Sequence, residues 1–211
     1  MIAEVGYRAH HPDAVLVRNT VEVPDVVAPT GSDRLVYLGR VSAGRGATVL
    51  ARVADRMPAD TTLDVIGPLD AEIEDVFAGS PRVVARGFVA NDRALPAVQG
   101  ATAGVALLRD LPNYRHSMPT KVLEYLAQGV PVITTPLPAA VEVVEGHDCG
   151  VVVPFDDPAA VFDAFAALRA DPDERQRLAT NGRRAVAEHY NWRDDSRRML
   201  DLCRRLARPA R

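Results

Sequence analysis

Arg40, Arg45, His116, Lys121 and Glu124 are the residues whose types and spacing could do chemistry, and together they suit a phosphorylated ligand that also carries hydroxyl groups. Lys121 and Glu124 stand three apart in the stretch Ser117-Met118-Pro119-Thr120-Lys121-Val122-Leu123-Glu124-Tyr125-Leu126-Ala127-Gln128-Gly129-Val130-Pro131-Val132-Ile133. Pro119 at its start and Gly129 near its end follow the asymmetry by which helices open on proline and close on glycine, so a short helix is expected over Pro119–Gln128. On it Lys121, Glu124 and Gln128 form one polar stripe, while Val122, Leu123 and Leu126 face a core. A helix N-terminus carries about half a positive elementary charge and attracts phosphate. A carboxylate in its first turn can accept hydrogen bonds from ribose hydroxyls. One short element, with Thr120 and Lys121 at its mouth, could therefore hold a nucleoside diphosphate at two points. Spacing alone is met more simply by a Glu124 that complements the helix dipole and a solvated Lys121.

Other polar groups fall in loops. Gly39-Arg40-Val41-Ser42-Ala43-Gly44-Arg45-Gly46 superficially resembles a phosphate loop, but Arg45 and Gly46 stand where a Walker A motif needs Lys and then Ser or Thr. There is no G-x-G-x-x-G fingerprint either, so kinase, ATPase and dehydrogenase readings lose weight. What remains is a pair of arginines whose rigid guanidinium forks suit a diphosphate; solvated loop arginines around a Gly44/Gly46 turn fit the same residues. In Arg86-Gly87-Phe88-Val89 a small residue would let the backbone approach the edge of a flat base. His116 closes the polar loop Arg109–Ser117 and is the candidate nearest a sugar, eligible as an acid or base near neutral pH.

The elements that must position these loops can be read from the pattern. Short β-branched runs at Leu35–Leu38, Thr62–Ile66, Arg82–Ala85, Thr102–Leu108, Pro131–Thr134 and Gly150–Val153 predict strands. Helices are expected over Ala47–Arg56, Asp70–Phe77, Asp92–Gln99, Pro119–Gln128 and Ala139–Val144 between them. Apolar strands without alternation, each followed by a helix, indicate a parallel sheet covered on both faces, a doubly wound Rossmann-like α/β domain of about six strands. In such sheets ligands bind outside the C-terminal strand ends, where the arginine loop and the Glu124 helix would meet. Three helices close the chain: Pro158–Leu168 with Asp157 as N-cap, Pro172–Glu188 opened by a capping-box-like Asp171-Pro172-Asp173-Glu174, and Trp192–Ala207. Residues 1–34 stand outside the alternation and offer one expected strand, Ala14–Arg18.

Composition narrows the class. With 211 residues and 47% apolar content the chain suits one large core and is too short for two full Rossmann domains. A net charge of −3 gives no electrostatic case for nucleic acid. Cys149 and Cys203 lie far apart with no CxxC or Cys/His cluster, which argues against a disulfide framework or zinc site and suits a reducing cytosol. No apolar run approaches the roughly 20 residues of a membrane span, and the N-terminal residues lack the apolar core of a signal peptide.

Taken in order, these pieces resemble the C-terminal, donor-binding domain of GT-B glycosyltransferases of the family 4 type (group 1). Val15-Leu16-Val17-Arg18-Asn19-Thr20-Val21-Glu22 looks like the family's interdomain segment, Val36-Tyr37-Leu38-Gly39-Arg40 with Arg45-Gly46 looks like its "Y-x-G-R…K-G" loop, and Gly87-Phe88-Val89, the Pro119/Lys121/Glu124 helix, Glu142-Val143-Val144 and Gly150–Pro154 complete it. The resemblance implies one half of a GT-B fold, divided into an interdomain segment and remnant of an N-terminal domain (1–34), a nucleotide-sugar-binding domain (35–190) and a crossover helix and tail (191–211). It implies that Arg40 and Arg45 bind the donor diphosphate beside Gly39, Thr120 and Lys121, that Glu124 binds the ribose, that Phe88 and Val89 flank the base, and that Glu142 lies near the donor. Where the family often has a glutamate eight residues before the helix glutamate, this chain has His116, as in subgroups with an "S-x-P-x-K-x-x-E-Y" loop. The implied reaction is sugar transfer, with retention, from a nucleoside-diphosphate sugar to an acceptor hydroxyl. It requires no metal and no cofactor beyond the donor. The partner is an N-terminal acceptor domain, missing or encoded separately, without which the chain would bind but scarcely turn over. The implied location is the cytoplasm, with peripheral association at the inner face of the membrane in the full-length enzyme. A non-catalytic nucleotide-sugar binding module and, more weakly, a GT-B-like epimerase stay open at this point.

Overall fold

The structure is a computed structural model and describes residue 1 and residues 9–31, 33–115 and 117–207. Six strands, β1 (Arg34–Leu38), β2 (Thr62–Ile66), β3 (Val83–Ala85), β4 (Ala103–Ala106), β5 (Val132–Thr134) and β6 (Gly150–Val152), alternate with helices. These are α1 (Ala47–Ala54), α2 (Asn91–Ala97), α3 (Thr120–Ala127) and α4 (Pro138–Gly146), and α5 (Pro158–Ala170), α6 (Pro172–His189) and α7 (Trp192–Leu206) follow. The strands form one parallel sheet in the order β3-β2-β1-β4-β5-β6. This is the doubly wound arrangement expected, with the strand order reversing between β1 and β4.

Strands apolar at every position bury both faces. Leu35 and Tyr37 of β1 join Leu50, Val53, Phe165 and Leu168 in a core under α1 and α5, whereas Val36 and Leu38 join Val98, Leu123, Leu126 and Val143 in a second core under α2, α3 and α4. Helix α6 contributes Leu178 to the first core and Val186 to the second. Its N-cap Asp171 accepts from the Glu174 backbone N–H, and Asp157 caps α5 through the Ala159 and Ala160 N–H groups. The Glu174 carboxylate binds Arg177 rather than completing a capping box.

Several expected boundaries move. Strand β4 stops at Ala106; Leu107 and Leu108 stay buried but leave the ladder, the Leu108 carbonyl accepting from the Thr135 hydroxyl. The helix expected over Asp70–Phe77 is a 3-10 turn at Ala71–Val76, the tighter winding common in short connections. Ala14–Arg18 forms no named strand. It is held instead by Asp195 of α7, fully buried, which accepts from the Arg18 backbone N–H, the Arg18 guanidinium and the Thr20 hydroxyl. Farther along, Val21 and Asn191 form a β-bridge, and the Arg183 guanidinium joins the Pro24 carbonyl to the Ala127 carbonyl at the end of α3.

One buried charge inside the sheet escaped the sequence reading. Asp64 of β2 accepts from Arg34 of β1 and, in a two-point pair, from Arg86 just after β3. Arg34 also donates to the Ala97 and Gln99 carbonyls, which ties α2 to the same cluster. The signal was present as a lone aspartate in an otherwise apolar strand, since a buried carboxylate needs paired donors.

Candidate functional site

The site is built where the sheet splits. β1 stays paired with β2 as far as Leu38 and Ile66, but its pairing with β4 ends at Val36 and Gly104. Tyr125 of α3 fills the gap. Its ring lies so close over Gly104 that a Cβ there would stand 2.4 Å from it. Its hydroxyl accepts from the Leu38 N–H at 2.6 Å and donates to the Val105 carbonyl at 3.2 Å. Two backbone groups that the split would orphan are thus satisfied, and α3 is fixed over the C-terminal ends of β1 and β4.

The loops around the split are held by close backbone contacts. Gly46 opens α1 at φ 86°, where a Cβ would meet the Leu107 Cβ and carbonyl at 2.7 Å. Gly67, at φ 147°, would drive a Cβ to 2.2 Å from the Gly39 carbonyl oxygen. Gly67 is bridged in turn to Gly87. The strand-end floor running through Gly39, Gly67 and Gly87 is therefore bare main chain. Above it, the Arg109 N–H donates to the Gly44 carbonyl, and Leu111 and Tyr114 lie over Gly44. Arg109 also pairs with Asp156 beyond β6.

Most of the expected cations converge here. The Lys121 ammonium is not solvated: it lies over the Tyr37 ring, 3.7 Å from its centroid, and 4.0 Å from where a Gly39 Cβ would stand. Burial pulls its pKa down to about 7, with the charge of Arg45 adding to the shift and Glu124 opposing it. The ring face favours the cation by about 0.5–2 kcal/mol. Burial raises the Glu124 carboxyl above the usual carboxylate range, against the pull of Lys121. Tyr37, whose hydroxyl donates to the Arg40 carbonyl at 2.8 Å, is raised by burial and lowered by Arg45. Arg45 ends the 3-10 turn before α1 and reaches the same carbonyl at 3.5 Å. Arg40 is exposed, its guanidinium paired with Asp70.

Thr120, the first residue of α3, is half-buried, and no side chain caps this helix end. Phe88 is 80% exposed beside Gly87, while Val89 packs against the core under α3. The expected polar stripe is corrected at Gln128, which is buried at the far end of α3 and accepts from Gln99. Glu142 does not join the cluster: it is exposed on α4, and the groups it acts on are His147 and Tyr190. His116 lies outside the described residues. Sequence reading missed Tyr37, Asp70, Tyr114 and Tyr125; only Tyr125, next to Glu124 in the motif, was adjacent to a residue already singled out. A groove of about 770 Å³ between Val21–Asp25 and the α6–α7 junction is lined by none of the expected site residues. Among the described residues no group of three or more His, Cys, Asp or Glu side chains could hold a metal ion.

A family model described as glycosyl transferases group 1 matches residues 32–171. The chain is 29% identical over 191 residues to a D-inositol 3-phosphate glycosyltransferase of Xylanimonas cellulosilytica, covering 87% of this chain and 45% of that protein. It is also 29% identical over 194 residues to a phosphatidyl-myo-inositol mannosyltransferase of Mycobacterium leprae, covering 86% and 49%. The chain thus spans about half the length of these curated relatives. Among solved structures, sucrose-phosphate synthase of Thermosynechococcus elongatus superposes with a TM-score of 0.76 at 20% identity, over 95% of this chain and 55% of that one. The HepE protein of Anabaena, in complex with UDP and glucose, does so at 0.70 and 15% identity, over 82% and 48%.

Proposed function

Because the chain belongs to the group 1 glycosyl transferases, we propose that it is the donor half of such an enzyme, binding a nucleoside-diphosphate sugar at the split between β1 and β4. The sugar passes, with retention, to an acceptor hydroxyl held by a second domain. The observation that carries this reading is the convergence of Lys121 and Arg45 on the loop after β1, with Glu124 one turn behind Lys121 on the same helix. A solved structure of similar fold holds UDP and glucose, which suits the same assignment.

In this reading the diphosphate lies over Gly39 within reach of Arg45 and Lys121, and the uncapped first turn of α3 presents its N–H groups to it. Arg40 joins by exchanging Asp70 for the phosphate. Charge grows on the diphosphate as the glycosidic bond to it breaks, and cations already in place stabilise that charge without reorganising, commonly by several kcal/mol. Glu124 accepts from the ribose hydroxyls. Gly87 lets the backbone meet the base edge, with Phe88 beside it. Residues 14–31 and α7, joined through Asp195, form the connection to the acceptor domain.

Calorimetric titration of the chain with UDP, GDP, ADP and TDP tests the assignment. Saturable binding of one nucleotide is expected, weakened at least about tenfold in Glu124→Ala and in Arg40→Ala, the loss of one charged hydrogen bond each. Undiminished binding in both variants would move the site elsewhere.

A further inference from the structure

Lys121 is placed unlike the two arginines of the site. Arg40 extends into solvent against Asp70, and Arg45 folds back along its own loop. Lys121 instead rests on Tyr37, at the point where the chain leaves β1. The groups around this contact come from every neighbouring element. β1 supplies Tyr37 and the loop after it Arg40 and Arg45; the loop after β2 supplies Asp70 and the loop after β4 Tyr114; α3 itself supplies Glu124. Asp70 is taken up by Arg40. Glu124 acts on Lys121 through space, without a hydrogen bond. With no anion bound, a charged Lys121 would face Arg45 across an enclosed space, an arrangement that favours losing the proton.

We propose that Lys121 is a proton-coupled ligand of the diphosphate: an amine resting on Tyr37 in the empty site, it takes up a proton from solvent when a nucleoside diphosphate enters between it, Arg45 and Gly39. The exchange is R–NH₂ + H⁺ → R–NH₃⁺, reversed when the nucleotide leaves, and no covalent bond to the ligand forms. The inference rests on the donor-site reading above. Burial and Arg45 bring the Lys121 pKa to about 7 in the empty site, and a bound diphosphate restores it upward. The bound state then holds more protons than the free one, so affinity falls as pH rises above about 7, by about tenfold per pH unit. An arginine at this position would hold its charge throughout.

The test is calorimetric titration of the full chain with UDP, GDP and ADP at about pH 8, each in two buffers of different ionisation enthalpy, so that the difference in heat counts protons. The unmodified chain should take up about one proton per nucleotide bound. Lys121→Arg should bind with no uptake and with affinity level between about pH 7 and 9, and Lys121→Met should bind at least about tenfold more weakly, again without uptake. Binding by the unmodified chain without proton uptake, or equal uptake in Lys121→Arg, overturns the proposal and leaves the donor site standing. Binding of no nucleotide at all overturns the donor-site reading and the proposal with it.

Discussion

Tyr125 and Glu124 are neighbours in sequence with opposite tasks, one closing the sheet and the other facing the ligand. The Tyr125 hydroxyl has both its partners on strands that have begun to separate. Removing it leaves the buried Leu38 N–H without an acceptor, which costs about 1–3 kcal/mol. Urea unfolding of Tyr125→Phe should show a loss of that size, and an unchanged midpoint would mean that the hydroxyl does not hold the split. At this scale the sequence revealed residue types better than their surroundings. Arg40, Arg45, Lys121 and Glu124 stood out as charges near turns and helix starts. The seat of Lys121 on Tyr37 was hidden, because it joins residues 84 positions apart through an approach that no periodicity encodes. Asp64 was equally hidden until Arg34 and Arg86 were seen to close on it from two other strands.

Elements were more legible. Unalternating strands and intervening helices predicted the parallel sheet, and Asp157 and Asp171 do cap their helices, because a cap is written within a few residues of the turn it serves. The short connection at Ala71–Val76 was read as a full helix because its acidic and apolar pattern does not distinguish one winding from another. Where α4 and α6 end, the His147 ring stacks on His189 at 5.1 Å and meets Tyr190 edge-on. Burial first, then the neighbouring His189, holds its pKa below the ordinary 6.5; Glu188 and Glu142 oppose, and Arg184 adds. Between that lowered value and 6.5 the unfolded chain binds a proton that the native chain refuses, so stability falls as pH drops through this window. Denaturant midpoints at about pH 7.5 and about pH 5.5 should differ in this sense, and His147→Gln should remove part of the difference. A variant with the full difference would assign it to other groups.

On the scale of the whole molecule, the segment before β1 is joined to the last helix. Asp195 is the buried residue of α7, while Leu206 is 77% exposed and Leu200 nearly half exposed on the same helix. Asp195→Ala would leave the partly buried Arg18 without its carboxylate, at a cost of about 3 kcal/mol. Limited proteolysis should then cut within residues 14–25 well before the sheet unfolds; resistance equal to that of the unmodified chain would mean that Val21 and Arg183 suffice to hold the segment. This joining was beyond the sequence reading, which saw a connecting segment and an arginine-rich helix but nothing to pair an aspartate with residues some 175 positions earlier. The floor of bare main chain beneath the candidate site has a further consequence for how such a protein diversifies. Peptide groups cannot be exchanged by mutation, so inheritance can vary only what stands at the rim: Phe88, Arg109, Tyr114 and the first turn of α3. A lineage descending from this chain can acquire a new preference among ligands by altering those side chains while the surface beneath them stays chemically constant.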